Sequence, residues 1–253
     1  MIDTHAHLLY FDDVDEIVNG MAEEGLENIV TIGTTIEDSI DSIALAEKYD
    51  KVYATVGIYP EYSNLTTEED LKKLKEIAKH EKVVAIGEIG LDYHTDVYDS
   101  EAQKKLLVKQ LEIADELGIP FCIHCRKAVE DLYEVLSSHK HLIKHAGLMH
   151  CYSEGKDWVQ KFLDLGMYIS FSGNITYKKS DRSFLKDIPL DRIVVETDAP
   201  YLTAEPFRGR ENRPALVKLT AKKIAEEIEM SYEEFDKIVS KNAKRFYFKI
   251  KND

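Results

Sequence analysis

Apolar residues along the chain fall into short runs set between longer amphipathic stretches. The runs are "MIDTH", "ENIVTIG", "VYATVGI", "KVVAIGE", "IPFCIH", "AGLMHC", "MYISFSG" and "RIVVETD", which makes eight. Each is rich in β-branched residues and too short for a helix, so each predicts a buried strand. Between them apolar positions recur mostly at three and four, the helical spacing. The clearest such stretch is "SEAQKKLLVKQLEIADELG". Ser100 with Gln103 reads there as a capping box, and Gly118 with Pro120 ends the helix. "TEEDLKKLKEIAKH" is a second helix, capped by Thr66 or Thr67, and "SYEEFDKIVSKNAKRFY" starts a third at Ser231 and Glu234. Strands alternating with helices predict a parallel sheet. Eight units in about 250 residues match a closed (β/α)8 TIM barrel, with an open doubly wound sheet as the competing arrangement. No Gly-rich nucleotide loop follows the first run, and no Pro- or Ser-rich linker or low-complexity segment divides the chain. The expectation is an α/β fold with one domain over residues 1–253.

The strand ends carry the polar residues that break the pattern. Asp3, His5 and His7 stand two apart, so on one strand they share a face. Burying such a row is costly unless something satisfies it, and a metal ion would. His5 and His7 end strand one, Glu88 strand four, His124 strand five and His150 strand six, while Asp198 follows strand eight. Singly, His124 or His150 is an ordinary core histidine, and Asp198 before Ala-Pro is a turn residue. In a (β/α)8 barrel, however, every strand C-terminus opens onto one face, where active sites lie. The topology gathers these six residues there. Four histidines and two carboxylates without a thiolate suit two divalent ions such as Mg²⁺, Mn²⁺ or Zn²⁺, and Glu88 can bridge them. Paired ions with an activated water make hydrolysis the natural reaction class.

Other residues refine this picture. Arg126 follows His124 by two positions, and Arg208, Arg210 and Arg213 follow strand eight. Arginine suits bidentate phosphate contact, and Asn174 after strand seven offers a further donor. Against this, 33 Lys+Arg and 47 Asp+Glu leave a net charge of −14. That charge disfavours broad, nonspecific binding of polyanions. Cys122 and Cys125 in "CIHC" have no second pair to complete a zinc site and read as structural, as does Cys151. His80, His139, His141 and His145 fall in helices or exposed connections, while His94 lies close to Glu88 in sequence. Three cysteines, no export signal and no apolar run long enough for a membrane span predict a cytoplasmic protein without a membrane or obligate protein partner.

The segments "IDTHAHL", "GEIGLDYH", "PFCIHCRKA", "HCYS", "YISFSG" and "ETDAPYLT", followed by "NAKRFY", resemble in content and order those of TatD-type metal-dependent deoxyribonucleases. The resemblance runs from residue 2 to about 248. It implies a barrel of the metal-dependent hydrolase superfamily, with one ion on His5, His7, Glu88 and Asp198 and a second on Glu88, His124 and His150. It implies hydrolysis of phosphodiester bonds in DNA, at an end or on single strands. Catalytic roles then fall to Glu88 as the bridge and Asp198 as ligand and proton acceptor, with Asp3 a candidate to orient a ligand histidine. Arg126, Asn174, Arg208, Arg210 and Tyr59 are the candidate substrate contacts. The chain departs from the family pattern at Tyr59, where histidine is usual, and at Glu154, where glycine is common. The alternative function is a small-molecule amidohydrolase acting on an amide, lactone or phosphotriester.

Overall fold

The computed structural model describes residues 1–251. Its strands are β1 (Ile2–Ala6), β2 (Asn28–Ile32), β3 (Val52–Val56), β4 (Val83–Asp92), β5 (Phe121–Arg126), β6 (Gly147–Met149), β7 (Tyr168–Phe171) and β8 (Ile193–Val195). All eight predicted runs are strands. They form one sheet in sequential order, and every neighbouring pair is parallel. Between them run α1 (Val14–Gly20), α2 (Ile36–Lys48), α3 (Glu68–Ile77), α4 (Ser100–Leu117), α5 (Val129–Ser138) and α6 (Lys156–Asp164), while α7 (Val217–Glu227) and α8 (Tyr232–Phe246) follow β8. The β7–β8 connection holds only 3-10 turns. Its "KKSDRSFLKDIPL" has Ser, Asp and Pro where a helix needs a regular apolar stripe.

Strand alternation divides the buried residues into two sets. One apolar set packs under the helices and includes Ile29, Val52, Ile86, Phe121, Ile169 and Ile193. The other takes a residue from every strand, among them Ile2, Val30, Tyr53, Val84, Cys122, Leu148, Tyr168 and Val194, and fills the barrel interior. The end of α8 closes this interior from below with Phe246 and Tyr247. The Tyr247 hydroxyl donates to the Thr4 carbonyl at 3.1 Å and lies 3.1 Å from the Cys122 sulfur.

The seam between β8 and β1 is closed by single contacts rather than a regular ladder. Ala6 and Ala199 form an isolated parallel bridge. The Asp198 amide donates to the His5 carbonyl at 2.9 Å, the His7 amide to the Ala199 carbonyl at 2.7 Å, and the Thr4 hydroxyl to the Val195 carbonyl at 2.9 Å. The Asp3 carboxylate accepts the Thr197 amide at 2.9 Å and its hydroxyl at 2.6 Å. Asp3 therefore spans the seam and does not reach an imidazole ring, which corrects its expected place behind a histidine. A register shift between Asp3 and Ala6 is the reason. An extra residue in β1 breaks the spacing-of-two row, so Ile2 faces the lower barrel while His5 faces its mouth.

Two local expectations also change. α4 is capped by Asp99, whose side chain accepts the Ala102 amide at 3.0 Å, not by Ser100. Gln103 is buried instead, bonding the Asp92 amide and carbonyl at 2.8 and 2.9 Å. Those bonds carry β4 on past Glu88 to Asp92, so Glu88 lies within its strand and not at its end. Thr67 and Ser231 cap α3 and α8 as predicted.

Tyr247 is fully buried. Tyr247→Phe should cost about 1 kcal/mol for the lost hydrogen bond, and Tyr247→Ala about 3–5 kcal/mol for the cavity left behind. Urea unfolding measures both, and equal losses would show that the ring contributes nothing beyond its hydroxyl.

Candidate active site

The site is the next layer up from the apolar interior. Two residues beyond Cys122 comes His124, beyond Leu148 comes His150, and beyond Tyr168 comes Ser170. Beyond Val194 come Glu196 and then Asp198. A step of two keeps the side chain on the inner face, so β5, β6, β7 and the segment after β8 each present a polar residue above the apolar floor. The shift in β1 adds His5 and the following turn adds His7.

Glu88 stands at the centre, with only 4% of its surface exposed. Its Oε2 lies 3.5 Å from His5 Nε2 and 3.9 Å from His7 Nε2. Its Oε1 lies 2.9 Å from His124 Nδ1 and 3.2 Å from His150 Nε2. One carboxylate thus faces two histidine pairs with its two oxygens. Asp198 Oδ1 completes the first pair, at 3.4 Å from His7 Nε2 and 3.7 Å from His5 Nε2. The ligand atoms of His5, His7 and Glu88 lie within 4.8 Å of one another, as do those of Glu88, His124 and His150, and those of His5, His150 and Asp198.

The charges are strongly coupled. Burial opposes the Glu88 charge, but His150, His124 and His5 hold its carboxyl well below the usual range. Burial likewise opposes protonation of His150, yet Glu88 and Glu196 raise it well above an ordinary histidine. Burial opposes protonation of His7 too, but Asp198 and Glu88 together outweigh it and raise His7. His5 goes the other way: burial, and then the neighbouring His150, lower it.

A divalent cation fits this set. His5 is fully buried, and neither ring nitrogen has a hydrogen-bond partner among the described residues. Two bare imidazole nitrogens in the interior are expensive, and a cation facing Nε2 would satisfy one. The donors are imidazole nitrogens and carboxylate oxygens, which suit Zn²⁺, Mn²⁺ or Mg²⁺. His5, His7, Glu88 and Asp198 would hold one ion, and Glu88, His124 and His150 a second.

A cavity of about 710 Å³ opens over the cluster and reaches His7, Glu88, His124, His150 and Asp198. Arg126, Asn174 and Tyr59 line it, as does Lys127. Asn174 Nδ2 donates to the Ser153 hydroxyl at 3.0 Å. Tyr59 gives its only proton to Asp92 Oδ2, at 2.7 Å, and its oxygen lies 3.0 Å from His124 Nε2. Arg208 and Arg210 are not in the cavity wall. The Arg208 guanidinium sits 4.0 Å from the Tyr177 ring centre and that of Arg210 5.7 Å from that of Phe207. Arg213 pairs with Asp13 and Glu211. These arginines of the loop after β8 are thus engaged by aromatic and acidic residues of that loop and of the loops after β7 and β1. His94 is exposed.

Sequence reading passed over Glu196 and Asp92. Glu196 Oε1 is 3.0 Å from His150 Nδ1, and its Oε2 accepts the Ser170 hydroxyl at 2.5 Å. Asp92 Oδ2 is 3.0 Å from His124 Nε2. The step of two from Val194 to Glu196 to Asp198 was a signal for the first. Asp92 gave none, because the extension of β4 is set by Gln103.

The backbone around the cavity is strained. Lys127, Cys151, Asp198 and Leu202 line it with φ of 55°, 46°, 58° and 53°. Non-glycine residues hold this left-handed region at a cost, and they gather at functional sites. Asp198 is held there by the hydrogen bond its amide donates to the His5 carbonyl and by the Tyr201 amide, which donates to the Asp198 carbonyl at 2.8 Å.

A parallel barrel with four histidines and two carboxylates at its open mouth defines a metal-dependent hydrolase. The chain belongs to the TatD family: the family model described as "TatD related DNase" matches residues 2–248. It is 39% identical over 252 residues to the uncharacterized metal-dependent hydrolase YabD of Bacillus subtilis, covering 98% of each chain. It is 32% identical over 255 residues to the uncharacterized metal-dependent hydrolase YcfH of Escherichia coli K12, covering 98% of this chain and 95% of that one. The crystal structure of YjjV, a TatD homolog from Escherichia coli K12, superposes with a TM-score of 0.91 at 29% identity and 97% coverage of both chains.

Because the two oxygens of Glu88 face different histidine pairs, Glu88→Gln should weaken metal binding at both. His5→Ala should weaken one. Equilibrium dialysis with elemental analysis counts the ions retained, and a one-ion loss in both variants would show that Glu88 does not bridge.

Proposed function

We propose that this protein hydrolyses phosphodiester bonds in DNA, at a single strand or a chain end. The observation that carries the reading is Glu88 joining two groups of ligands on the floor of an open cavity that has Arg126 and Lys127 in its wall. Bound divalent ions would lower the pKa of water and neutralise charge on the phosphate. Arg126 and Lys127 supply cationic contacts for that phosphate. Tyr10 and Tyr201, each 52% exposed at the mouth, offer rings on which bases can stack without sequence preference. The family description, which is that of a DNase, agrees with this chemistry.

Asp198 has two tasks in this reading. Its Oδ1 faces His5 and His7. Its Oδ2 is then the oxygen that accepts a proton from the attacking water. Histidine ligands cannot do this, since one nitrogen is committed to the ion and the other carries its own proton.

Glu154 favours a second reading. It lines the same cavity, and burial raises its carboxyl above the ordinary range. A carboxyl in the wall suits a small, less anionic substrate such as a lactone or cyclic amide better than a polyanion.

Purified protein loaded in turn with Mg²⁺, Mn²⁺ or Zn²⁺ should shorten end-labelled single-stranded DNA and leave lactones and cyclic amides intact. The reverse pattern overturns the nuclease reading. Asp198→Asn should stay folded, keep substantial metal and lose about two to four orders of magnitude in turnover, the range for removal of a general base. Near-full turnover in a well-folded variant would sink its role. The cationic wall is small, so binding of short single strands to that variant should fall gently with salt, with a slope of −0.7Z and Z of roughly two to four.

A further inference from the structure

The two histidine pairs differ in what stands behind them. His124 turns Nδ1 to Glu88, and its Nε2 meets Asp92 Oδ2 at 3.0 Å. His150 turns Nε2 to Glu88, and its Nδ1 meets Glu196 Oε1 at 3.0 Å. Each ring is therefore clamped between the shared carboxylate and a private one. With the far nitrogen donating its proton outward, the near nitrogen is left with its lone pair towards the cluster. His5 and His7 have no such support: among the described residues no carboxylate meets a far nitrogen of either ring, and both nitrogens of His5 are without hydrogen bonds.

The backing carboxylates are themselves held. Glu196 is fully buried and takes the Ser170 hydroxyl on its second oxygen. The side chain of Asp92 is 13% exposed, and its Oδ2 also accepts the Tyr59 hydroxyl. Its Oδ1 accepts the His94 amide at 2.8 Å, and Gln103 braces its backbone from α4. Tyr59 thus acts inside the cluster: it completes the environment of a carboxylate that aims a ligand.

From this asymmetry we propose that the two ion positions are unequal and fill in order, with Asp92 and Glu196 as the positioning residues that make the position on Glu88, His124 and His150 the tighter one. A carboxylate behind a ligand histidine fixes ring orientation and tautomer and makes the ligating nitrogen more basic. The position on His5, His7, Glu88 and Asp198 has more protein ligands, yet its two imidazoles are held by stacking on His150 and Tyr10 with no carboxylate behind them to fix the tautomer. It fills second and exchanges faster. The proposal rests on the two-ion reading of the site.

Metal titration of the full chain by calorimetry with Mn²⁺, paired with elemental analysis after gel filtration, tests it without reference to activity. The wild type should show two classes of site at least tenfold apart in affinity. Asp92→Asn and Glu196→Gln should each weaken the tighter class by about 10–100-fold, the usual cost of losing such a partner, and leave the weaker class in place. Asp92→Glu should recover part of the loss. His5→Ala should remove the weaker class and spare the tighter one. Thermal melting with chelator present checks that each variant is folded; Asp92, less buried than Glu196, decides the matter if Glu196→Gln does not fold. Two ions of equal affinity in the wild type, or a tighter class that survives Asp92→Asn and disappears in His5→Ala, overturns the proposal and leaves the two-ion reading standing. Fewer than two ions in the wild type overturns both.

Discussion

A single buried carboxylate sets the terms for the upper half of this barrel. Glu88 is 4% exposed and makes close contacts with four histidines through its two oxygens. An isolated carboxylate at that depth would be neutralised by protonation. Its neighbours instead hold it ionised; among them His150 is raised by Glu88 and Glu196, while burial and His150 lower His5. The balance is strained, and the bare nitrogens of His5 show where it is incomplete. A set of groups that cannot satisfy one another, but could all satisfy a cation, is the physical signature of a metal site in a hydrolase of this family.

That concentration of charge depends on the barrel being closed at the same point. Its seam is stitched by the Asp3–Thr197 hydrogen bonds and by amides exchanged between His5, His7 and the segment from Asp198 to Ala199. The residues that close the fold are therefore the sequence neighbours of the residues that hold the site. Asp198 keeps a left-handed backbone there, a conformation that the seam hydrogen bonds over-determine. Below it, Tyr247 and Phe246 at the end of α8 fill the base of the barrel. The floor of the site is thus a packed apolar layer.

The electrostatics outside the cluster are sparse by comparison. Arg126 and Lys127 reach the cavity, whereas Arg208, Arg210 and Arg213 are engaged by Tyr177, Phe207 and Asp13 outside it. On a chain of net charge −14, a polyanion has few places to be gripped. If the substrate is the nucleic acid proposed above, local recognition of one phosphate and a neighbouring base fits such a surface better than an extended binding track.

The hydrophobic pattern alone determined the strand count and the parallel sheet, and it favoured the closed barrel over an open doubly wound sheet. Short β-branched runs at this spacing have few other ways to be buried. It also placed His5, His7, His124, His150 and Asp198 on the open face, because parallel strands bring their C-terminal ends together whatever the details of packing. What the pattern could not carry were features that depend on distant partners. The extra residue in β1 sends Asp3 to Thr197 instead of to a histidine. Gln103, which reads locally as half of a capping box, is taken by Asp92 and extends β4, leaving Asp99 to cap α4. Asp92 and Glu196 acquire their places behind His124 and His150 only once four strands have closed around them. Periodicity reports which face a residue occupies; which hydrogen bond it makes there is decided by tertiary contacts between distant segments, 194 residues apart in the Asp3–Thr197 pair, and no local propensity encodes those.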